Sequence, residues 1–281
     1  EVVGTLTKEA AKTLGLPETV KVVAGAGDNA AAAVGTGTVG AGGCNISLGT
    51  SGTIFISSDK FGVDPNNALH AFAHADGGYH LMGCMLSAAS CNKWLCEEIL
   101  KTSDFAGEQA DITDEKLGEN HVYFLPYLMG ERSPINDTNA RGTFTGMTMD
   151  TSRADLVQAV LEGVAFSIRQ GLELFDHPAS KITLIGGGAR ERRWCQILSN
   201  VMGLPVHVYK DPDLLPALAI ASSVFLAENI IPDYQSFIHV LEEKGGCTVL
   251  NPNPDAVKAY EPVYRKYKTI YPMVCEFYHE V

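Results

Sequence analysis

The sequence V-V-A-G-A-G-D-N-A-A-A-A-V, residues 22–34, places one carboxylate, Asp28, between a short apolar run and an alanine-rich stretch. The valines before it predict the end of a buried strand, and Gly25 and Gly27 permit a tight turn. Asp28 then has the position of a helix cap, because Asp commonly accepts backbone N–H groups at a helix start. The stretch predicts a strand-to-helix turn in which Asp28 is either a simple cap or a functional carboxylate.

The composition is that of an ordinary globular protein. The 281 residues are 46% hydrophobic and 19% charged, which is enough to build a sizeable core in one large domain or two smaller ones. The net charge of -12 argues against a broad surface for nucleic acid or an anionic membrane. The seven cysteines form no C-x-x-C pair, which favours reduced thiols in a cytoplasmic protein. The sequence shows neither a membrane-spanning apolar run nor a signal-peptide pattern, and its start in mid-pattern indicates a fragment.

The next clear signal predicts a β-hairpin. Two runs rich in β-forming residues, 44–48 and 53–57, flank the turn Gly49-Thr50-Ser51-Gly52. A glycine turn between two such runs is typical of a hairpin. A third strand is predicted at 79–84 and a helix at 87–100, so this part of the chain has the order strand, strand, strand, helix.

The second half of the chain predicts an alternation of helices and strands. Ser152 and Asp155 form a capping box that starts the strongest helix signal in the sequence. A strand at 181–185, a glycine turn at 186–188 and a helix at 191–202 then follow one another. That order is typical of sites that bind phosphates or nucleotides.

Three further segments are interpreted from their polarity. Residues 101–120 are polar and acidic, which predicts a mobile surface insert. Residues 214–228 are apolar nearly all round, which predicts a helix buried between layers. In an acidic chain, core packing is a better interpretation than base stacking for the tyrosine stripe Tyr260, Tyr264, Tyr267 and Tyr271.

Several motif-like patterns have weak support. Residues 35–40 match the G-x-G-x-x-G of dinucleotide sites, but helical sequence precedes them and β-rich sequence follows. This reversed order favours a hinge over an NAD site, and no P-loop or G-x-S-x-G sequence is present. A metal cluster would need ligands at fixed spacing, which favours solvated or second-shell histidines for the group His70, His74, Asp76 and His80.

Three glycine-rich turns and one loop together indicate phosphate handling. The turns contain Asp28, Thr50-Ser51 and residues 186–189, and the loop, predicted to be exposed, contains Glu131 and Arg132. Backbone N–H groups in glycine turns can approach phosphate oxygens, and hydroxyl groups add further donors. A lone carboxylate can accept the proton of an attacking hydroxyl.

Six segments resemble, in order, the FGGY carbohydrate kinases of the actin-like ATPase superfamily, and the resemblance covers essentially the whole chain. They are G-A-G-D-N-A-A-A-A-V-G (25–35), S-L-G-T-S-G-T (47–53), H-L-M-G-C-M-L-S-A-A-S-C-N-K-W (80–94), G-E-R-S-P-I-N-D-T-N-A-R-G-T-F-T-G-M (130–147), D-L-V-Q-A-V-L-E-G-V-A-F (155–166) and L-I-G-G-G-A-R-E-R-R-W (184–194). The resemblance implies an α/β ribonuclease H-like domain, a mixed sheet flanked by helices. It also implies ATP and Mg²⁺ as cofactors and a sugar, expected to be a ketopentose, as acceptor. Members of this family often form homodimers.

The same resemblance implies roles for individual residues. Asp28 would be the general base that takes the proton of the attacking sugar hydroxyl. Gly130 would lie in a loop near the phosphates. The turn that binds phosphate would consist of Gly49, Thr50, Ser51 and Gly52, and the adenosine pocket would include Gly187, Gly188, Ala189 and Arg192. No residue of this chain is assigned as a metal ligand.

The resemblance also predicts a division into domains. Residues 1–36 would be the end of an N-terminal kinase domain and 37–281 the C-terminal, nucleotide-binding domain, so that this fragment alone would be inactive. Ala219 stands where the family usually has glycine, which could crowd the adenine side. The remaining alternatives are an FGGY kinase for gluconate, ribulose or glycerol, or a non-catalytic actin-like module that binds nucleotide.

Overall fold

The structure is a computed structural model that describes residues 1–176, 179 and 181–279. Its strands are β1 (Val2–Thr5), β2 (Lys21–Val23), β3 (Cys44–Leu48), β4 (Gly52–Ser58), β5 (Leu69–Ala73), β6 (Tyr79–Met85), β7 (Tyr123–Leu125), β8 (Thr143–Thr145), β9 (Ile182–Ile185), β10 (Val206–Tyr209) and β11 (Cys247–Leu250). Its α-helices are α1 (Lys8–Leu14), α2 (Asp28–Gly35), α3 (Ala89–Trp94), α4 (Phe105–Glu108), α5 (Arg153–Leu172), α6 (Arg192–Met202), α7 (Leu215–Ala227), α8 (Tyr234–Gly245) and α9 (Pro254–His279).

A mixed sheet of seven strands lies at the centre of the described part of the chain, in the order β11-β10-β9-β3-β4-β6-β5. Strand β9 is parallel to both of its neighbours, β10 and β3, whereas β3, β4, β6 and β5 pair antiparallel with one another. Strands β1 and β2 form a separate antiparallel pair, as do β7 and β8. The predicted hairpin and the predicted fold class, a mixed sheet flanked by helices, are both confirmed.

Helix α5 is the central helix of the core. Its predicted capping box is formed, because Asp155 N donates to Ser152 Oγ at 3.2 Å and Ser152 N donates to Asp155 Oδ2 at 2.8 Å. Residues 157–168 are buried without a break. The indole of Trp194 on α6 donates to the Leu161 carbonyl at 3.0 Å and joins the two helices.

The tyrosine stripe of α9 packs against α5, as predicted. Tyr260, Tyr264 and Tyr267 are buried, and their rings lie 5.9, 5.8 and 5.1 Å from the ring of Phe166. Each buried aromatic ring removes about 150–250 Å² of surface from water. The stripe therefore holds the long C-terminal helix on the core.

The predicted surface insert at 101–120 is more ordered than its polarity indicates. It contains α4 and a 3₁₀ turn at Asp114–Lys116, and Ile112 and Leu117 are buried in the core. Glu108 also forms an ion pair of 2.5 Å with Arg153 of α5. Two apolar anchors five residues apart match neither the helical nor the strand period, so the pattern alone could not reveal them.

The prediction that residues 214–228 are buried between layers is wrong. Helix α7 packs on α2 along one side, where a Cβ at Gly35 would lie 2.3 Å from the Leu215 carbonyl oxygen. On its other side Leu218, Val224 and Phe225 are about 40% exposed. The described residues provide no second layer over this side, although the apolar composition would suit one.

All seven cysteines are free thiols in the structure. Burial raises the pKa of the Cys44 thiol to about 12, and the pKa of Cys91 is also raised by burial. These buried thiols therefore stay protonated and unreactive near neutral pH. A helix with both the length and the apolar character needed to cross a membrane is not found in the described ranges.

Candidate functional site

Two of the predicted glycine turns meet at one edge of the sheet. Strands β3 and β9 are parallel and Ser47 pairs with Ile185, so the turns that follow them leave the sheet side by side. Gly186 has φ +89° and ψ 175°, a conformation almost restricted to glycine. A Cβ there would lie 2.7 Å from the carbonyl carbon of Leu48 and 2.9 Å from Gly49 N. The two turns are thus in direct backbone contact, which only glycine at 186 permits.

The first of these turns, Gly49–Gly52 after β3, is held in place by the helix that follows β6. Ala89 N donates to the Gly49 carbonyl at 2.8 Å, and Ala88 N donates to the Thr50 carbonyl at 3.0 Å. Helix α3 begins at residue 89 and not at 87 as predicted, because Ala88 has the non-helical angles φ -130° and ψ -99°. It then continues into a π-helical turn at Leu95–Ile99. Thr50 and Ser51 remain exposed. The turn therefore presents two hydroxyl groups on a fixed backbone.

Beside the second turn, Gly186–Ala189 after β9, lies a cleft of about 640 Å³. It is lined by Ala189, Arg190, Val208, Tyr209, Lys210, Asp211, Pro212, Leu214 and Thr248. This is the edge at which the parallel strands β9 and β10 end, and open α/β sheets bind ligands beyond the carboxyl ends of such strands. Sequence reasoning missed residues 209–212. They carry no glycine signal, and their place at the end of β10, the neighbour of β9, brings them to this cleft.

The four residues predicted for the adenosine pocket lie in four different environments. A Cβ at Gly187 would meet no atom within 4 Å, so this exposed residue borders open space. At Gly188 a Cβ would lie 2.5 Å from Leu48 Cδ2, which makes it a packing glycine. Ala189 lines the 640 Å³ cleft, whereas Arg192 lines a second cleft of about 520 Å³.

Ala219, which was predicted to crowd the adenine side, is not among the residues that line the 640 Å³ cleft. Its side chain is buried with Val34 and Val39 in the contact between α2 and α7. Near α7, the cleft of 640 Å³ is lined by Pro212 and Leu214, which lie just before the helix begins. The methyl group of Ala219 therefore contributes to helix packing.

The loop that contains Gly130 is attached to the first turn through β6. Gly130 is buried with φ +74°, and a Cβ there would lie 2.6 Å from the Thr138 carbonyl oxygen. The next residue, Glu131, accepts hydrogen bonds at Oε1 from Leu86 N and Arg132 N, both at 2.8 Å. Leu86 directly follows Met85, the strand partner of Gly52 in the first turn.

The prediction of an exposed Glu131 and Arg132 is correct only for the arginine. Glu131 is fully buried, and this burial raises its pKa to about 8, although the two backbone N–H groups oppose the shift. Its other carboxylate oxygen is buried without a hydrogen-bond partner. The turn-rich letters around 131 gave no sign of this burial, because a charged residue in a polar loop is usually solvated.

Asp28 is exposed at the start of α2. The predicted capping role is wrong, because Gly27 is the cap residue and Asp28 is the first residue inside the helix. Its carboxylate Oδ1 accepts a hydrogen bond of 2.8 Å from Asn29 N. A negative charge in the first turn still interacts favourably with the helix dipole. At the other end of the helix, the Thr36 carbonyl accepts a bond of 3.2 Å from Thr183 Oγ1 on β9.

Two of the three predicted histidines, His74 and His80, are packed and not solvated as predicted, whereas His70 is exposed. His74 and His80 are each only 5% exposed, and the His80 ring stacks on Phe55 at 3.9 Å. Burial and the neighbouring His74 lower the pKa of His80 to about 4. His74 Nε2 lies 2.9 Å from the Thr38 carbonyl, within the predicted hinge. This hinge leads from α2 into β3, so the G-x-G-x-x-G match does not open a helix, in agreement with the prediction.

Comparisons with known proteins identify the family to which this chain is similar. Residues 44–218 match the profile of the "FGGY family of carbohydrate kinases, C-terminal domain". The chain is 39% identical over 279 residues to a xylulose kinase of Escherichia coli (strain K12), covering 96% of this chain and 56% of that protein. It is 43% identical over 232 residues to a xylulose kinase of Klebsiella pneumoniae, covering 81% and 47%. The chain thus spans about half the length of the curated relatives it matches.

Solved structures of sugar kinases have the same fold as this chain. A crystal structure described as a "xyloylose kinase" from Brucella ovis superposes with a TM-score of 0.89 at 33% identity, covering 99% of this chain and 57% of that one. A gluconate kinase from Lactobacillus acidophilus superposes with a TM-score of 0.87 at 24% identity, covering 100% and 57%, which shows the shared fold. The chain belongs to the FGGY family of carbohydrate kinases.

Proposed function

We propose that the protein containing this chain is an ATP-dependent kinase that phosphorylates D-xylulose to D-xylulose 5-phosphate. The observation that carries the proposal is the backbone contact between the Gly49–Gly52 and Gly186–Ala189 turns, next to an open cleft at the ends of parallel strands. Identities of 39% and 43% to two xylulose kinases support the choice of sugar.

The Gly49–Gly52 turn is proposed to bind the ATP phosphates. Thr50 and Ser51 expose hydroxyl donors there, and neither side chain is needed to hold the turn, which is fixed by its own carbonyls. Fixed donors stabilise the charge on a transferring phosphoryl group without reorganisation. Gly130 would support this surface, because its loop is bonded to the residue that follows β6.

The adenosine is proposed to bind along the second turn. Gly187 leaves room for close approach of a ligand, Gly188 holds the turn on Leu48, and Ala189 leads into the 640 Å³ cleft. Support for Arg192 comes from the family resemblance alone, because this residue lines the second cleft.

Asp28 is proposed to be the general base. The sugar hydroxyl oxygen would attack the γ-phosphorus of ATP while its proton passes to the Asp28 carboxylate, and the bond from the γ-phosphorus to the oxygen bridging it to ADP would break. An exposed carboxylate suits this role, since one oxygen accepts only a local bond from Asn29 N. Further residues around the sugar would have to come from the rest of the protein.

Mg²⁺ is proposed as the metal of the reaction, where it would neutralise phosphate charge. Such ions are commonly held by one or two carboxylates together with substrate phosphates. Residues 49–52 and 186–190 include no acidic side chain. On this chain the turns therefore fit the phosphates of a metal–nucleotide complex and do not form a metal site of their own.

The proposed domain boundary lies at the hinge after α2. Residues 1–36 would be the end of an N-terminal kinase domain and 37–281 the C-terminal domain. In support, β1 and β2 pair in a sheet separate from the seven-stranded one, and the matched family region begins at residue 44. The protein is expected to be cytoplasmic and could act as a homodimer.

The test is a substrate panel on the full-length protein, with ADP release followed for D-xylulose, ribulose, gluconate and glycerol. D-xylulose should give the highest kcat/KM, with stoichiometric D-xylulose 5-phosphate. Preference for another of these four compounds would change the proposed substrate but leave the proposed kinase activity in place. ATP binding without ADP release for any of them would instead indicate a non-catalytic nucleotide-binding module.

A further inference from the structure

The far end of α9 forms a cluster of metal-ligand types outside the nucleotide cleft. Asp137, Cys275 and His279 each offer one ligand atom, and the three atoms lie within 4.8 Å of one another. Cys275 and His279 are four residues apart on α9, which places them on one face of the helix. Asp137 belongs to the loop that also contains Gly130. We propose that these three residues bind a divalent transition metal, with Zn²⁺ the best fit, and thereby fasten α9 to this loop.

The donor set decides which metal fits. A thiolate, an imidazole nitrogen and a carboxylate oxygen are the three donor types that Zn²⁺ takes in proteins, usually in tetrahedral geometry. Mg²⁺ and Ca²⁺ prefer oxygen ligands and are poorly matched by sulfur and nitrogen. Three protein ligands leave the fourth position for water. One thiolate and one carboxylate also balance the charge of a divalent ion.

The same atoms are already drawn together by hydrogen bonds. Tyr271 donates its hydroxyl proton to Asp137 Oδ2 at 2.5 Å, and His279 Nε2 lies 3.0 Å from the same oxygen. The Cys275 thiol donates to the Tyr271 hydroxyl at 3.4 Å. A metal ion would replace these bonds at a site whose ligands need to move little, which limits the ordering cost of binding.

The protons can be accounted for. On metal binding the Cys275 thiol loses its proton to solvent, and the ring proton of His279 moves from Nε2 to Nδ1. The side-chain amide of Asn139 lies 3.4 Å from Nδ1 and can turn its oxygen toward that proton. Such an outer partner commonly orients a histidine ligand. The affinity should therefore fall at low pH, because protons compete for the thiolate.

The site is reachable from solvent and is linked to the proposed phosphate loop. The His279 side chain is 48% exposed, whereas that of Asp137 is 9% exposed. The Asp137 carbonyl accepts a hydrogen bond of 2.8 Å from Glu131 N, so a bound metal would restrain the segment that carries Glu131. The sequence did not reveal this cluster, because Asp137 and Cys275 are 138 positions apart in the chain.

Co²⁺ provides the test, because it occupies zinc sites and absorbs in the near ultraviolet when a thiolate binds it. The full-length protein, reduced and stripped with a chelator, should bind one Co²⁺ per chain with this absorption, and Zn²⁺ should displace it. Cys275→Ser should abolish the thiolate band. Cys247→Ser is the matched control and should retain it, since Cys247 Sγ lies 3.8 Å from His207 Nδ1 but belongs to no three-ligand group among the described residues.

A second variant covers the case in which Cys275→Ser fails to fold. His279→Ala changes an exposed side chain and should weaken Zn²⁺ binding by more than about tenfold, because loss of even an outer-shell partner typically costs about 10- to 100-fold. Absence of saturable Co²⁺ binding in the unmodified protein would overturn the proposal. So would a thiolate band that persists in folded Cys275→Ser, or an unchanged Zn²⁺ affinity in His279→Ala.

Discussion

The glycine turns and the Asp28 segment are built in opposite ways. The turns are fixed on both sides, since Gly186 abuts the backbone of residues 48 and 49 and the Gly49 carbonyl accepts a bond from α3. Asp28 instead stands exposed on the first turn of α2 and accepts a bond from its immediate neighbour Asn29. A preformed surface needs no reorganisation to stabilise a charged ligand, whereas an exposed carboxylate takes its environment from whatever covers it. Under the proposed function, this chain would supply a preformed phosphate-binding surface, whereas the environment of the proposed base Asp28 would be completed by other residues of the protein.

The largest effect is expected from Asp28→Asn. Removing a general base typically costs about 10²- to 10⁴-fold in rate, so kcat of the full-length protein should fall within that range. The free energy of unfolding should change by no more than about 1 kcal/mol, because an exposed acid in a first helical turn contributes about that much at most. Steady-state kinetics and urea unfolding measure the two quantities.

The exposed Asp59→Asn is the control for Asp28→Asn, and it should leave both quantities unchanged. If Asp28→Asn kept full activity, Asp28 would be a helix-start residue only. A large loss of stability would mean instead that the segment is as tightly built as the turns, and the contrast between the two regions would disappear.

The next largest effect is expected from Gly186→Ala. Its backbone conformation is nearly restricted to glycine, and the new Cβ would overlap the backbone at Leu48. Conformational strain and overpacking together should cost about 2–4 kcal/mol of unfolding free energy. Gly187→Ala is the neighbouring control and should change stability by less than about 0.5 kcal/mol, because its Cβ meets open space. Equal losses in urea unfolding would contradict the fixed contact between the turns.

A smaller effect, seen in the pH dependence of stability, is expected from Glu131→Gln. Burial raises the pKa of Glu131 from 4.5 to about 8, so the folded protein holds this proton more tightly than the unfolded chain does. Its contribution is fully favourable below pH 4.5 and is lost as the pH rises toward 8. The amide of the substituted side chain would keep an oxygen for Leu86 N and Arg132 N but could not ionise.

The unmodified protein should therefore lose more unfolding free energy between pH 5 and pH 8 than Glu131→Gln does. Urea unfolding at the two pH values measures the difference. Glu119→Gln, at an exposed position, should behave like the unmodified protein. An identical pH dependence in all three proteins would show that Glu131 stays solvated, and that its loop is not anchored to the first turn.

Much of the fold was predictable because its elements have strong local signals. The capping box of α5, the hairpin around the first glycine turn and the left-handed Gly203 that ends α6 follow from residue type and spacing alone. The burial of Glu131 and the exposure of one side of α7 were not predictable in this way. Both depend on which distant residues cover a side chain, and a local pattern does not encode that.

The candidate site was predictable in part for the same reason. Each glycine turn could be recognised from its own letters, and the parallel pairing of β3 with β9 then brought the turns together. The cleft residues 209–212 were missed because they carry no glycine signal. Arg192 follows the second turn closely in sequence, yet the start of α6 directs it to the neighbouring cleft.

Whether the two glycine turns bind nucleotide can be measured directly as the ATP dissociation constant of the full-length Gly187→Val protein, determined by calorimetry. A Cβ at 187 would meet no described atom within 4 Å, so we expect the effect of the valine to fall on a bound ligand and not on the fold. ATP binding should weaken about tenfold or more, equivalent to about 1.4 kcal/mol, with the unfolding free energy nearly unchanged. Unchanged ATP affinity in the folded variant would contradict a nucleotide site on these two turns.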